Sequence, residues 1–176
     1  ILKSRLSGPN SCFGWRHRSK PFIPPAGTKD KAMISFTQDI TVAWGDCDPF
    51  GQVYYPRMFE WLNETEHELL RQIGYSTNDL IAADRSAFVM VDISFQFVGP
   101  ARFGDRVRTK VALEKIGTSS LHWRCTADLL DTGAGVTTGL AVRVHAQVQD
   151  GGGLKPTPIP DDMRAALTEM NAVAAE

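Results

Sequence analysis

The chain has little of what would mark a metal site, a membrane span or a nucleic-acid partner. It holds 3 cysteines, Cys12, Cys47 and Cys125, widely spaced and in no CxxC pattern. That excludes a disulfide framework and gives no basis for a zinc site. A reducing compartment is the default, and a cytoplasmic location is expected. No histidine has a ligand partner by spacing, so neither metal nor cofactor is implied. The formal net charge of -1 argues against a general nucleic-acid binder. No apolar run approaches the roughly 18 residues that a membrane span needs. One domain with a sizeable core remains, and its expected partner is a small molecule.

Acidic residues are missing from the first part of the chain. Lys3, Arg5, Arg16, Arg18, Lys20 and Lys29 precede the first acid, Asp30, and the run Pro21-Phe22-Ile23-Pro24-Pro25 interrupts them. Met33 stands immediately before the first strand pattern. Residues 1–33 are therefore expected to be a poorly ordered extension, with an organelle transit peptide as the alternative.

The best-defined stretch runs from Trp44 to Ile73. A turn-rich loop containing Asp46 and Asp48 leads directly into an amphipathic pattern. Pro56 suits the first helical turn, where its missing N–H costs nothing, so the helix is expected to start near Tyr55. Phe59, Leu62, Leu69, Leu70 and Ile73 share one side of it, and Arg57, Glu60, Glu64, Glu68 and Arg71 share the other. Glu66 falls among the apolar positions and needs a partner there. It lies roughly 15 Å beyond Pro56 at about 1.5 Å per residue, which favours a satisfied structural carboxylate over a catalytic one.

Five strands are expected around this helix. Ile34, Phe36, Ile40 and Val42 mark the first, before the helix. A loop over 74–87 separates the helix from the second, whose apolar face is Val91, Ile93, Phe95 and Phe97. Val107, Val111 and Leu113 mark the third, and Leu121, Trp123, Cys125, Ala127 and Leu129 the fourth. Val136, Leu140, Val142, Val144 and Val148 are the expected inner face of the last, which leaves His145 among the alternating positions without a clear role. His67 and His122 fall on polar faces. Turns as short as Gly99-Pro100 and Gly117-Thr118 allow hairpins and no crossover helices, so the sheet should be largely antiparallel. The fold class is α+β, a sheet curled around one long helix over 34–150. Residues 151–176 read as a Gly/Pro linker and a peripheral terminal helix.

The chemistry follows from a carboxylate beside a helix N-terminus. Hydrolysis at a carbonyl needs a nucleophile or base and a donor aimed at the developing oxyanion. Asp48, before Pro49, is the candidate carboxylate, and the Tyr55 N–H is the candidate donor. Gly51 would let the backbone approach a ligand, or is simply a turn residue. Trp44, Phe50, Tyr54 and Phe88 are candidates for the walls of a binding pocket. Cys47 lacks a nearby histidine to activate it.

The blocks Gly45-Asp46-Cys47-Asp48-Pro49-Phe50-Gly51-Gln52-Val53-Tyr54-Tyr55-Pro56 and Gly99-Pro100-Ala101-Arg102-Phe103-Gly104-Asp105 resemble the hot-dog-fold acyl-CoA thioesterases, most of all their 4-hydroxybenzoyl-CoA thioesterase branch. The resemblance implies catalysis by Asp48, a structural role for Asp46, an aromatic acyl group, and a homodimer or homotetramer with sites at the subunit boundary. Coenzyme A phosphates would need cations, for which Arg57, Arg102, Arg106, Arg124 and Arg143 are the candidates. The Gly117-Thr118-Ser119-Ser120 turn supplies none, which keeps an acyl-carrier-protein thioester open as the other carrier. A non-catalytic acyl-CoA binder and a hot-dog hydratase or dehydratase are the alternative functions. The second needs a loop histidine that this chain lacks.

Overall fold

Helix α1 (Tyr55–Gln72) begins where Pro56 places it and buries Met58, Trp61, Leu62, Thr65, Glu66, Leu69 and Leu70. The structure is a computed structural model that describes residues 34–173, with side chains through Thr168. The expected extension over 1–33 lies outside the described residues. Six strands form one antiparallel sheet: β1 (Ser35–Thr41), β2 (Ser86–Phe97), β3 (Arg106–Ile116), β4 (Ser120–Leu129), β5 (Gly135–Val148) and β6 (Leu154–Pro156). Their order is β1-β3-β4-β5-β2, with β6 pairing the end of β5. The sheet's inner face closes on α1 as the alternation of apolar residues requires. Val107, Val111, Leu113, Leu121, Trp123, Cys125 and Ala127 are all buried.

Strand β5 buries Val136 as expected but reverses the expected parity beyond it. Thr137, Ala141, Arg143 and His145 are buried, whereas Leu140 is exposed and Val142 and Val144 are half-buried. Cross-strand pairing fixes this, because Ala141 stands opposite both Trp123 and Ile93 on the core side. The inner face here carries three polar residues, of which Thr137 leaves its Oγ1 without a partner among the described residues while Arg143 and His145 find theirs. Arg143 Nε donates to Glu66 Oε2 at 2.8 Å, and its Nη2 donates to Asn63 Oδ1. His145 Nε2 lies 3.0 Å from Ser86 Oγ, and its Nδ1 lies 2.9 Å from the Pro158 carbonyl. Glu66 thus has the partner that its burial demanded. Its Oε1 and the nearby Trp123 Nε1 remain without a partner of full hydrogen-bond geometry. Burial pushes the Glu66 carboxyl above its ordinary range, against the pull of the Arg143 guanidinium.

Three further departures have local causes. The register of β2 shifts between Met90 and Asp92, and this bulge turns Val91 out to solvent while Ile93 and Phe95 stay inside. The expected loop over 74–87 contains helix α2 (Thr77–Asp84), capped by Ser76 Oγ, which accepts the Asp79 N–H. Only Leu80 of that helix is buried, so it has no apolar stripe to detect. Helix α3 (Asp161–Val173) is not peripheral, since Ile159, Met163 and Leu167 are fully buried in the main core cluster with Leu69, Leu70 and Trp123. His145 and Arg164, which donates to the Gly117 carbonyl at 2.8 Å, fasten this segment across one end of the sheet.

Candidate active site

A second core cluster of Val42, Met58, Trp61, Ala101, Val107, Ala127 and Val136 lies under the N-terminus of α1 and fixes the loop before it. The loop starts with a 3-10 turn over Trp44–Asp46 and is closed by a bridge between Cys47 and Val53. Asp46 ties it down from both sides. Its Oδ2 accepts the Ala43 N–H at 2.9 Å, its carbonyl accepts the Tyr54 N–H at 2.8 Å, and its Oδ1 lies 3.3 Å from Arg57 Nε. The structural role expected of Asp46 has this geometric content.

Asp48 is held differently. Its Oδ1 accepts the backbone N–H groups of Phe50, at 2.8 Å, and Gln52, at 3.2 Å, while its own N–H and carbonyl close the turn with Gln52 and Gly51. No donor to Oδ2 is found among the described residues. One carboxylate oxygen therefore orients the group and the other is unengaged among the described residues. Gly51 has φ 73 and nothing within 4 Å of a hypothetical Cβ. That φ suits the left-handed turn, and Gly51 is not among the residues that line the cleft beside the start of α1.

At the helix start, the Tyr55 N–H has no partner among the described residues and Pro56 has no N–H to offer. An unfilled helix N-terminus attracts negative charge through its free donors and dipole. Asp48, Phe50, Tyr54 and Tyr55 line one cleft of about 330 Å³, together with Met58, Phe97, Pro100 and Val136. Four of the residues expected from sequence thus meet in one place.

The others do not. Trp44 is 80% exposed and outside the cleft, and Phe88 is 6% exposed, packed on His145 deep in the core. Arg102 contributes its backbone, bridging to Gln52 and donating its N–H to Asp105 Oδ2 at 2.8 Å, while its side chain is exposed. Of the five candidate phosphate cations, Arg57 pairs with Glu60, Arg106 with Asp131, Arg124 with Glu114 and buried Arg143 with Glu66. Arg102 alone among them has no carboxylate partner within the described residues.

Sequence reasoning missed Phe97 and Met58 as cleft walls. It also placed Phe59 on the core face, whereas the ring lies half-buried at the helix rim, stacked on Phe95 with centroids 4.8 Å apart. A larger concavity of about 580 Å³ sits towards the other end of α1, lined by Glu64, His67, Glu68, Arg71 and Thr77. It is lined by polar side chains, of which Arg71 is bonded to Glu68 and His67 Nδ1 lies 3.1 Å from Thr77 Oγ1. Among the described residues no group of three or more metal-ligating side chains converges, and no helix is long and apolar enough to cross a membrane.

Comparisons with known proteins bear on the family and the fold. A 1,4-dihydroxy-2-naphthoyl-CoA hydrolase of Prochlorococcus marinus (strain NATL2A) is 29% identical over 91 residues, 48% of this chain and 59% of the relative. The chain therefore spans less than two thirds of the length of the curated relatives it matches. Among solved structures, a gentisyl-coenzyme A thioesterase is 27% identical with a TM-score of 0.64, covering 73% of this chain and 98% of its own. A 1,4-dihydroxy-2-naphthoyl-CoA thioesterase from Synechocystis superposes with a TM-score of 0.71 at 19% identity, over 78% of this chain and 98% of its own, which shows the hot-dog fold. Residues 42–167, from the strand end before the loop to the buried Leu167 of α3, match the family model, and the chain belongs to the Thioesterase-like superfamily.

Proposed function

We propose that the protein hydrolyses the thioester of an aromatic acyl-CoA, giving a carboxylic acid and free coenzyme A. One observation carries the reading. An unengaged carboxylate oxygen of Asp48 and an unengaged Tyr55 N–H border the same aromatic-walled cleft. The substrate carbonyl oxygen accepts the Tyr55 N–H, where the α1 dipole favours the charge that develops on it. Asp48 either attacks the carbonyl carbon or takes a proton from a water that does. The tetrahedral intermediate then collapses, the C–S bond breaks, and the thiolate leaves with the electron pair. On the base route it takes up the proton that Asp48 accepted from water; on the nucleophilic route it is protonated from solvent, and water then cleaves the acyl–Asp48 anhydride left behind, which frees the acid and restores the carboxylate. Cys47 takes no part. Its Sγ points back to the Ala43 carbonyl, 3.9 Å away.

The acyl group is aromatic on this reading because Phe50, Tyr54, Tyr55 and Phe97 surround the reacting position and are largely exposed to the cleft. Arg102 is the cation for a coenzyme A phosphate. Assembly as a homodimer or homotetramer belongs to the same reading. The outer edge of β2 is unpaired among the described residues, and an exposed edge strand favours a partner strand. A cytoplasmic location rests on the unpaired cysteines alone.

The test is release of free thiol from a panel of aroyl-, alkanoyl- and β-hydroxyacyl-CoA thioesters. Turnover of aroyl-CoA above the others is expected. Absence of thiol release with every member refutes the reading, and preferential dehydration of the β-hydroxyacyl thioester redirects it to a hydratase.

A further inference from the structure

On the reading of the cleft as an acyl-thioester site, we infer that Phe59 sets the size of the acyl group, admitting one aromatic ring and excluding two fused rings. Tyr55, Phe59 and Asn63 recur every four residues along one side of α1 and face Phe97, Phe95 and Ile93 across the free edge of β2. Between them runs a chain of ring contacts. Tyr55 meets Phe97 with centroids 6.3 Å apart, Phe59 meets Phe97 at 6.5 Å, and Phe59 stacks on Phe95 at 4.8 Å with an interplanar angle of 24°.

The stack divides what would otherwise be one groove. The open cleft of about 330 Å³ reaches Tyr55, Met58 and Phe97 and stops there. Beyond Phe59 a cavity of only about 10 Å³ remains, lined by Phe59 itself with Asn63, Glu66, Met90 and Ile93. Phe59 lines the second space, and its ring meets Tyr55, at 6.4 Å between centroids, and Phe97, which both line the first, so its ring stands between the two. One helical turn separates Phe59 from Tyr55, about 6 Å at about 1.5 Å per residue, which matches a single ring extending from a carbonyl held at the Tyr55 N–H.

Phe95, the other half of the partition, cannot easily retreat. It sits over Gly139, where a Cβ would lie 2.4 Å from Phe95 Cδ1 and 2.1 Å from the Ser94 carbonyl oxygen, so the strand already gives the ring all the room available. Phe59 is half-buried at the rim and lacks such a wall behind it. Removing its ring joins the two spaces and adds the volume of the benzyl group to the groove.

The experiment compares kcat/KM for benzoyl-CoA and 2-naphthoyl-CoA in the wild type and in Phe59→Ala, Phe59→Leu and Phe59→Trp. Thermal unfolding of each variant shows which are folded. The ratio of naphthoyl to benzoyl kcat/KM should rise by about 10-fold or more in Phe59→Ala, the scale expected when a hydrophobic pocket gains or loses a group of this size. It should rise less in Phe59→Leu and fall below the wild-type ratio in Phe59→Trp. If Phe59→Ala does not fold, the Leu and Trp variants carry the same test with opposite signs. A wild type active on benzoyl-CoA with an unchanged ratio in every folded variant overturns the role of Phe59 and leaves the proposed function standing. A wild type inactive on all thioesters overturns the function first.

Discussion

Arg143→Met breaks the buried pair with Glu66 from its cationic side. In the native chain Glu66 is 3% exposed and Arg143 is 5% exposed, with Nε and Oε2 2.8 Å apart, so neither charge has water as an alternative partner. Removing one member of such a pair typically costs about 3–5 kcal/mol, because the other is left charged in a medium that cannot solvate it. At about 2–4 °C per kcal/mol for a chain of this size, the melting temperature should fall by about 10 °C. The loss should also depend on pH in a definite direction. Burial already raises the Glu66 pKa above the ordinary 4.5, and loss of the guanidinium raises it further. A raised carboxyl favours the folded state most below the unfolded pKa and loses that contribution as pH rises through the folded one. The variant should therefore lie nearest the wild type around pH 4.5 and fall progressively further below it towards pH 8. The double variant Glu66→Met, Arg143→Met should recover most of the loss. Urea unfolding midpoints across that pH range are the assay. A single variant within about 1 kcal/mol of wild type at every pH would show that the pair does not hold α1 on the sheet, against the cost expected for a buried ion.

Three other outcomes are expected. Leu167→Ala should destabilise the protein by about 2–5 kcal/mol in chemical denaturation, because the side chain is fully buried in the core cluster, and a loss below about 1 kcal/mol would return α3 to the periphery. Glu68 is held down to about 2, first by its hydrogen bonds from Arg71, so its contribution is present above the ordinary 4.5 and lost as pH falls towards about 2. Glu68→Gln should accordingly flatten the acid limb of the stability profile there, and an unaltered limb would show the Arg71 contact to be absent in solution. Cys47→Ala should retain thioesterase turnover and wild-type stability, while a folded but inactive variant would move the chemistry to the thiol.

How far the sequence could be read depended on whether a position obeys the rule that apolar residues face inward. The helix start was legible because Pro56 and the acidic turn before it are local signals, and strands β3 and β4 were legible because Val107 to Leu113 alternate with only Thr109 as a polar residue on the inner face, and Leu121 to Ala127 alternate without exception. Strand β5 misled for the opposite reason. Its inner face carries Arg143 and His145, satisfied by Glu66, Asn63, Ser86 and a carbonyl that only the folded chain brings near, while Leu140, Val142 and Val144 face outward. A buried acid on α1 implied a buried base somewhere, and Arg143 was the one it required. The bulge at Val91 and the weak pattern of α2 leave almost no trace in composition. At the cleft, the place of Tyr55 was accessible from the loop-to-helix junction, whereas the choice of Asp48 over Asp46 as the candidate leaned on the family resemblance. Phe97 and Phe59 were not accessible, because their place in the groove depends on how α1 lies against the edge of β2, a tertiary relation that neither period contains.

The most direct test of the central claim is the turnover of Asp48→Asn on an aroyl-CoA that the wild type hydrolyses, with Asp46→Asn measured beside it. Asparagine keeps the Oδ1 acceptor that the Phe50 and Gln52 N–H groups use, so the loop should keep its shape and the melting temperature should barely change. The free oxygen is replaced by an amide that neither attacks a carbonyl nor takes a proton from water. The predicted result is a fall in kcat of at least about 10²-fold with KM little altered, and in Asp46→Asn a loss of stability larger than its loss of turnover. Near-normal kcat in a folded Asp48→Asn protein would contradict the account.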